Sequence, residues 1–426
     1  MSEFTCDHPF LEKDFPFSYL RPANKYTLLD EAGIMSELES YVPEGEAPGL
    51  VGVTASSIRF QPSPSETFPC EDEYQLSTVK LVNHPSTSHG NLFFILDGHS
   101  GPTCSAYCIQ QLPSIVRSAI EILPTNAWTG PYSSEDAIGR CLAQAIQSLD
   151  DSLREEFLGI FPGGVEEISA MDELEIKKRI NDDPVNYAKM MRYGRGSTAL
   201  VVLQVGRDVW TANLGDSEAV IGFRPEGSSR WETEIISGGP HNGRTNPAEK
   251  AKVMADHPLE LDVMKGDRVL GLIAVTRALG DGMFKLAPIY VEKVFAFAQP
   301  PFRNVTRLLG IKDTSVTPPY LNATAETRYH RFPSEGKAFM IITSDGLDNP
   351  DHPPSLSSAH PQEDKWVSSL GELVDRGETV NLAVKLLRSL WGQGEEGRHR
   401  ASAFLNLDYK HDHYQDDTTI IVVALD

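Results

Sequence analysis

Apolar, strand-like runs that meet an acidic turn recur along this chain of 426 residues. Leu92 to Leu96 ends at Asp97-Gly98-His99, and Ala338 to Ile342 runs into Ser344-Asp345-Gly346. Thr419 to Val423 begins just after Gln415-Asp416-Asp417. Glu71-Asp72 is a fourth acidic site of this kind, and Asp216, in Asn213-Leu214-Gly215-Asp216-Ser217, is a fifth. An Asp at a sheet's edge with a Gly beside it lets a carboxylate and a backbone carbonyl face one small volume. Hard cations such as Mg²⁺ and Mn²⁺ take that kind of oxygen shell and complete it with water. Asp-Gly is also ordinary turn chemistry, so spacing alone does not separate a cation site from a set of turns.

The segments between these turns mix strand and helix without a strict βαβ rhythm. Leu50 to Val53 reads as the first strand, after a lead-in over residues 1–47 with little periodicity. Thr103 to Leu123 has a helical pattern in which Pro113 predicts a break or kink. Ile138, Leu142, Ala145, Ile146, Leu149, Leu153 and Phe157 recur at three- and four-residue spacing and predict the strongest helix. Residues 196–223 hold three short β-rich runs separated by turn residues, which predicts an antiparallel meander. A helix is expected from about Val380 to Trp391. The fold class is therefore α+β, with antiparallel sheets and helices outside them.

Thirty-eight Lys and Arg against 60 Asp and Glu give a formal charge of −22, which repels nucleic acid and anionic lipid. The densest basic run, Lys177-Lys178-Arg179, follows Glu173 and Glu175 at the four-residue spacing of an ion-paired helix face. The five cysteines, Cys6, Cys70, Cys104, Cys108 and Cys141, form neither a disulfide framework nor a zinc-ligand spacing. Cys104 and Cys108 are expected to pack on one helix face. No apolar run reaches the roughly 18 residues of a membrane span, and the first residues carry neither a secretory core nor an organelle-type presequence. The expectation is a cytoplasmic protein with no nucleic-acid partner.

The residues around the acidic turns go further. FFILDGHSG, GSTA with NLGDSEAV, LGLIAVTRALGD, IITSDGLDN and DDTTIIVVAL occur in that order. Motif for motif they resemble the type 2C (PPM) metal-dependent protein serine/threonine phosphatases. DRVLGLIAVTRALGDGMFK, VFAFAQPPF and TPPYLNATAETRYHRF are most similar to the pyruvate dehydrogenase phosphatase branch. The resemblance implies one phosphatase domain over residues 48–426, folded as a four-layer αββα sandwich of two mainly antiparallel sheets flanked by helices. It implies two divalent cations per chain, Mg²⁺ or Mn²⁺, which activate a bridging water against the phosphate of a phosphoprotein substrate. Carried over by position, Asp97 bridges the cations, the Gly98 carbonyl binds one, and Glu71, Asp72, Asp345 and Asp416 complete the shell. Asp216 is offered to a third cation. His99 is the general acid toward the leaving oxygen. The branch also offers mitochondria as the alternative compartment.

Three departures bear on this. Thr67 stands where many members carry a phosphate-binding Arg, with Arg59, just before the expanded QPSPSETFP loop, as a substitute. Glu218 reverses the charge of the usual GDSR, and Asp348-Asn349 replaces the usual Trp and Asp after SDGL, which weakens the third cation site. His411 and His413 read as a solvated loop near Asp416. The alternative function is a phosphatase-like regulatory module with weak or no turnover.

Overall fold

The computed structural model describes residues 3–5, 25–43, 49–62, 69–130, 132, 136–302, 309–347, 360–406 and 416–425. Thr67, Asp348, Asn349, His411 and His413 lie outside them. The chain divides into two units that interleave in sequence. The first takes Met1–Cys70, Ala219–Ile235 and Phe332–Asp426, and the second Glu71–Glu218 and Ile236–Arg331.

The second unit is built on five strands in the order Glu326–Arg331, Asp208–Leu214, Ala199–Val205, His89–Leu96 and Glu73–Lys80, every neighbour antiparallel. Two of its three inner strands, Ala199–Val205 and His89–Leu96, read as apolar runs because both their faces are buried. On one face Leu92, Phe94 and Leu96 join Val201 and Leu203 in a core shared with two helices. Those helices are Thr103–Glu121 and Ala137–Leu158. The second matches its apolar spacing, and Asp136 caps it by accepting from the backbone N–H groups of Ile138 and Gly139 at 2.9 and 2.8 Å. Of the break or kink expected at Pro113, the first shows no break and continues as one helix. Pro113 is itself buried between Leu112 and Val116, so packing holds a helix that lacks one backbone donor.

The expected meander is only half present. Ala199–Val205 and Asp208–Leu214 form its hairpin, but the third run, Glu218–Arg224, joins the sheet of the other unit. The chain diverges at Gly215, whose φ of 110° is closed to ordinary side chains. A Cβ there would lie 2.5 Å from Thr198 Cγ2.

The first unit's sheet has the order Glu232–Ile235, Glu218–Arg224, Lys337–Thr343, Thr418–Leu425 and Val53–Phe60. The first strand thus begins where the sequence suggested it would end. Its residues VTASSIRF bury only Val53, Ile58 and Phe60, so it never shows an apolar run. Helices Pro361–Asp375, Leu382–Leu390 and Gly394–Asn406 supply Trp366, Leu370, Leu386 and Ala401 to this unit's separate core. A helix absent from the sequence reading, Glu31–Glu39, adds Ile34 and Leu38 to it. Both units mix helices with antiparallel strands, and the chain is α+β.

Two smaller expectations, the ion-paired helix face and the packed cysteines, hold. Lys177 pairs with Glu173, and Arg179 with Glu175 and Glu167. Cys104 and Cys108 are buried on one helix face. Among the described residues no helix is long and apolar enough to cross a membrane.

Candidate active site

Two acidic turns of the second unit, at Glu71 and Asp97, meet through backbone contacts, and the Asp216 turn brings its carboxylate to Asp97. The strand His89–Leu96 ends at Asp97, whose peptide is held on both sides by Thr198. The Asp97 N–H donates to Thr198 Oγ1 at 3.0 Å, and the Thr198 N–H donates to the Asp97 carbonyl at 2.8 Å. Gly98 follows in a short strand paired with Ser197, and its N–H donates to the Glu71 carbonyl at 3.1 Å. A Cβ at Gly98 would stand 2.4 Å from that carbonyl oxygen, so only glycine allows the approach. The Ser105 hydroxyl also donates to the Glu71 carbonyl at 2.6 Å, and the Gly101 N–H donates to Glu71 Oε2 at 3.0 Å. Glu71 is therefore fixed against the 97–105 loop through both its backbone and its side chain. Asp72, beside it, is fully buried.

Asp216 reaches the same place from the Gly215 turn. A carboxylate oxygen of Asp216 and one of Asp97 lie within 4.8 Å of each other. Two charges at that distance repel by about 3 kcal/mol at an effective dielectric constant near 20. A divalent cation between them would reverse that sign, and an all-oxygen donor set is the one Mg²⁺ and Mn²⁺ take. The residues present fit the cation.

His99 is paired with a residue that the sequence reading did not single out. Its Nε2 lies 2.7 Å from Asp281 Oδ2, across 182 positions of chain. Asp281 is 3% exposed, adopts a left-handed φ of 54°, and donates its N–H to the Arg195 carbonyl at 2.9 Å. Gly196, the register partner of His99, makes room for the pair. A Cβ on Gly196 would lie 2.0 Å from His99 Nε2 and 2.4 Å from Asp281 Oδ2. Burial alone would lower the His99 pKa. The charge and hydrogen bond of Asp281, with Glu71 and Asp216 behind it, outweigh burial and raise it. Asp281 occupies Nε2, which leaves Nδ1 as the nitrogen able to serve a reaction. The loop carrying Asp281 is tied down in turn. Asp150, in the helix Ala137–Leu158, accepts from the Gly280 N–H and from Lys285 Nζ, each at 2.8 Å.

The other two predicted carboxylates belong to the first unit. Asp345 opens a short 3-10 turn at the end of Lys337–Thr343, and Asp416 precedes Thr418–Leu425. The two ends are laced together. The Ser344 N–H donates to the Thr419 carbonyl at 3.1 Å, and the Thr419 N–H donates to Ser344 Oγ at 2.9 Å. Gly346 fits because a Cβ there would meet the Asp417 carbonyl at 2.1 Å. Asp416 caps its own turn by accepting from the Asp417 N–H at 2.9 Å.

Sequence reasoning missed Asp281, Gly196 and Thr198, although all three lie in or beside quoted motifs. Asp281 closes LGLIAVTRALGD and stands before Gly282, the same Asp-Gly signal that singled out Asp97 and Asp345.

The sequence profile of the protein phosphatase 2C family matches residues 166–349. The mitochondrial [pyruvate dehydrogenase [acetyl-transferring]]-phosphatase 1 of Bos taurus is 27% identical over 95% of this chain and 83% of its own length. A protein phosphatase 2C homologue of Schizosaccharomyces pombe is 26% identical over 84% of this chain and 78% of its own. Among solved structures, the serine-threonine phosphatase 2C from Toxoplasma gondii is 16% identical with a TM-score of 0.47, over 89% of this chain and 96% of that one. The ordered motifs, the profile match and relatives similar over most of the chain agree on a PPM-type protein serine/threonine phosphatase, similar to the pyruvate dehydrogenase phosphatase branch.

Proposed function

We propose that this phosphatase hydrolyses phosphoserine and phosphothreonine in a protein substrate by attack of a water activated between two divalent cations, Mg²⁺ or Mn²⁺. The observation that carries the reading is the Asp97-Gly98-His99 turn, where Asp97 faces Asp216 while His99 is locked onto Asp281. When bound, the cations would supply Lewis-acid activation of water and neutralise charge on the phosphoryl oxygens. Asp97 would hold both, the Gly98 carbonyl one of them, and Glu71, Asp72, Asp345 and Asp416 the rest of the shell. Asp216 would serve a third cation. His99, oriented by Asp281 through Nε2, would donate a proton from Nδ1 to the departing serine or threonine oxygen, a poor leaving group without that help.

The names of the relatives supply a first substrate and a compartment to try. Similarity over 95% of the chain to a mitochondrial pyruvate dehydrogenase phosphatase favours phosphorylated pyruvate dehydrogenase, and mitochondria over cytoplasm.

The test is phosphate release from a phosphothreonine peptide with Mn²⁺ or Mg²⁺, then with excess EDTA, alongside Asp97→Ala. Turnover should require the cation and vanish in Asp97→Ala, with metal-free thermal stability kept within a few degrees. Turnover in EDTA, or normal turnover of Asp97→Ala at saturating Mn²⁺, would refute the reading.

A further inference from the structure

We infer that Asn242 is a positioning residue for Asp216, and that the His241-Asn242 pair sets where that carboxylate meets a divalent cation. The inference rests on the proposed role of Asp216 at a cation site. Asn242 Nδ2 donates to Asp216 Oδ2 at 2.6 Å. The direction of that amide is fixed by its other end, since Asn242 Oδ1 accepts the Arg244 N–H at 2.9 Å. With the oxygen so engaged, the NH₂ group has to face Asp216. The Asn242 backbone is pinned as well. Its carbonyl accepts the Asn246 N–H at 2.9 Å, and it bridges to Val275.

His241 fixes the turn on which Asp216 rides. Its N–H donates to the Gly215 carbonyl at 2.8 Å, and its Nδ1 accepts the Gly215 N–H at 3.1 Å. A ring that accepts at Nδ1 carries its proton on Nε2, which lies 3.6 Å from Glu326 Oε2. His241 is 1% exposed and Asn242 8%, so neither is a surface residue that happens to touch the loop. On the far side, Ser217 Oγ lies 3.1 Å from Thr198 Oγ1, the hydroxyl that also receives the Asp97 N–H. Thr198 thus ties the peptides next to both carboxylates to one frame. Asn242 reaches the carboxylate itself. An amide donor suits this place, because it holds one oxygen without adding charge to a cluster that must bind a cation.

Asn242 is also a turn residue, and the choice of variant separates that role from the inferred one. Asn242→Ser keeps a short acceptor for the Arg244 N–H but no longer reaches Asp216. Asn242→Ala, which loses both contacts, is the second variant, and Asp216→Ala is the reference. Mn²⁺ binding to the full chain is read by calorimetry and by electron paramagnetic resonance of free Mn²⁺, with melting measured in EDTA. Asn242→Ser should melt in EDTA within about 2 °C of wild type, as loss of one exchangeable hydrogen bond implies. It should weaken one Mn²⁺ site by about 10- to 100-fold, the site Asp216→Ala removes, and leave the others unchanged. Asn242→Ala should show the same isotherm with a lower melting temperature. If Asp216→Ala loses a site while both Asn242 variants bind like wild type, the inference is overturned and the role of Asp216 stands. If Asp216→Ala also binds like wild type, that role falls first. Equal weakening at every Mn²⁺ site with a large drop in metal-free melting would make Asn242 a structural residue only.

Discussion

Gly196→Ala is the smallest change that should break the His99–Asp281 pair. The added Cβ would sit 2.0 Å from His99 Nε2 and 2.4 Å from Asp281 Oδ2, where ordinary contact begins near 3.4 Å. Neither atom is the free end of a flexible chain. Asp281 is buried, its backbone is bound to Arg195, and the His99 backbone is paired with Gly196 itself. Relief requires the pair to separate or the strand to move by about 1 Å. Overpacking of this kind costs about 1–3 kcal/mol. Leaving a buried carboxylate without its partner adds about 1–3 kcal/mol. At about 2–4 °C per kcal/mol for a unit of this size, melting should fall by roughly 4–24 °C. Turnover should fall about 100-fold, the usual effect of misplacing a reacting group by 1 Å. Gly206→Ala is the control. Its φ of 60° carries the backbone strain, but nothing lies within 4 Å of the new Cβ, so only about 1 kcal/mol is at stake. The measurements are melting in EDTA and phosphopeptide turnover at saturating Mn²⁺. Gly196→Ala that melts no lower than Gly206→Ala and keeps wild-type turnover would refute the packing argument and the importance of the pair.

His99→Ala should slow phosphopeptide hydrolysis by about 10²–10⁴-fold and spare an aryl phosphate, whose leaving oxygen needs little proton help. Equal losses on both substrates would show that His99 shapes the site without donating a proton. The Glu326 carboxyl is lowered to about 2, chiefly by the His241 ring 3.6 Å away and then by Arg328, against burial, which pushes it up. A depressed carboxylate stabilises the fold above the ordinary glutamate pKa of about 4.3, and loses that contribution as pH falls toward the folded value. The melting gap between wild type and Glu326→Gln should thus be full at pH 6–7 and narrow below about pH 4.5. A gap that is constant with pH would show that the ionised carboxylate contributes nothing.

How far the sequence revealed this fold follows from which faces are buried. His89–Leu96 and Thr418–Leu425 are buried along nearly their whole length, so their strands read directly as apolar runs. Val53–Phe60 has only three fully buried residues, spaced unevenly, and its small polar residues read as loop. Glu31–Glu39 escaped because two buried residues, Ile34 and Leu38, make too short a stripe to stand out. Pro113 does not end its helix, for the opposite reason. The local rule was sound, and the tertiary packing of a 19-residue helix outweighed it.

The candidate site divides along the same line. Carboxylates stand out because charge beside glycine follows an apolar run several times in this chain, and the residues flanking those turns separate a cation site from ordinary turn chemistry. The groups that aim them are neutral and short. Thr198, Asn242 and Gly196 would each be unremarked in any loop or strand. Asn242 acts through its amide, and Thr198 and Gly196 through register, which pairs His99 with Gly196 and Gly98 with Ser197. That pairing puts an absent side chain opposite the histidine and a threonine hydroxyl beside the Asp97 peptide. Shift the register by one position and a serine side chain would take the place of the glycine, closing the space that the His99–Asp281 pair occupies. The charges are therefore written in the sequence. Their geometry is written in strand pairing, whose partners lie about a hundred positions apart in the chain.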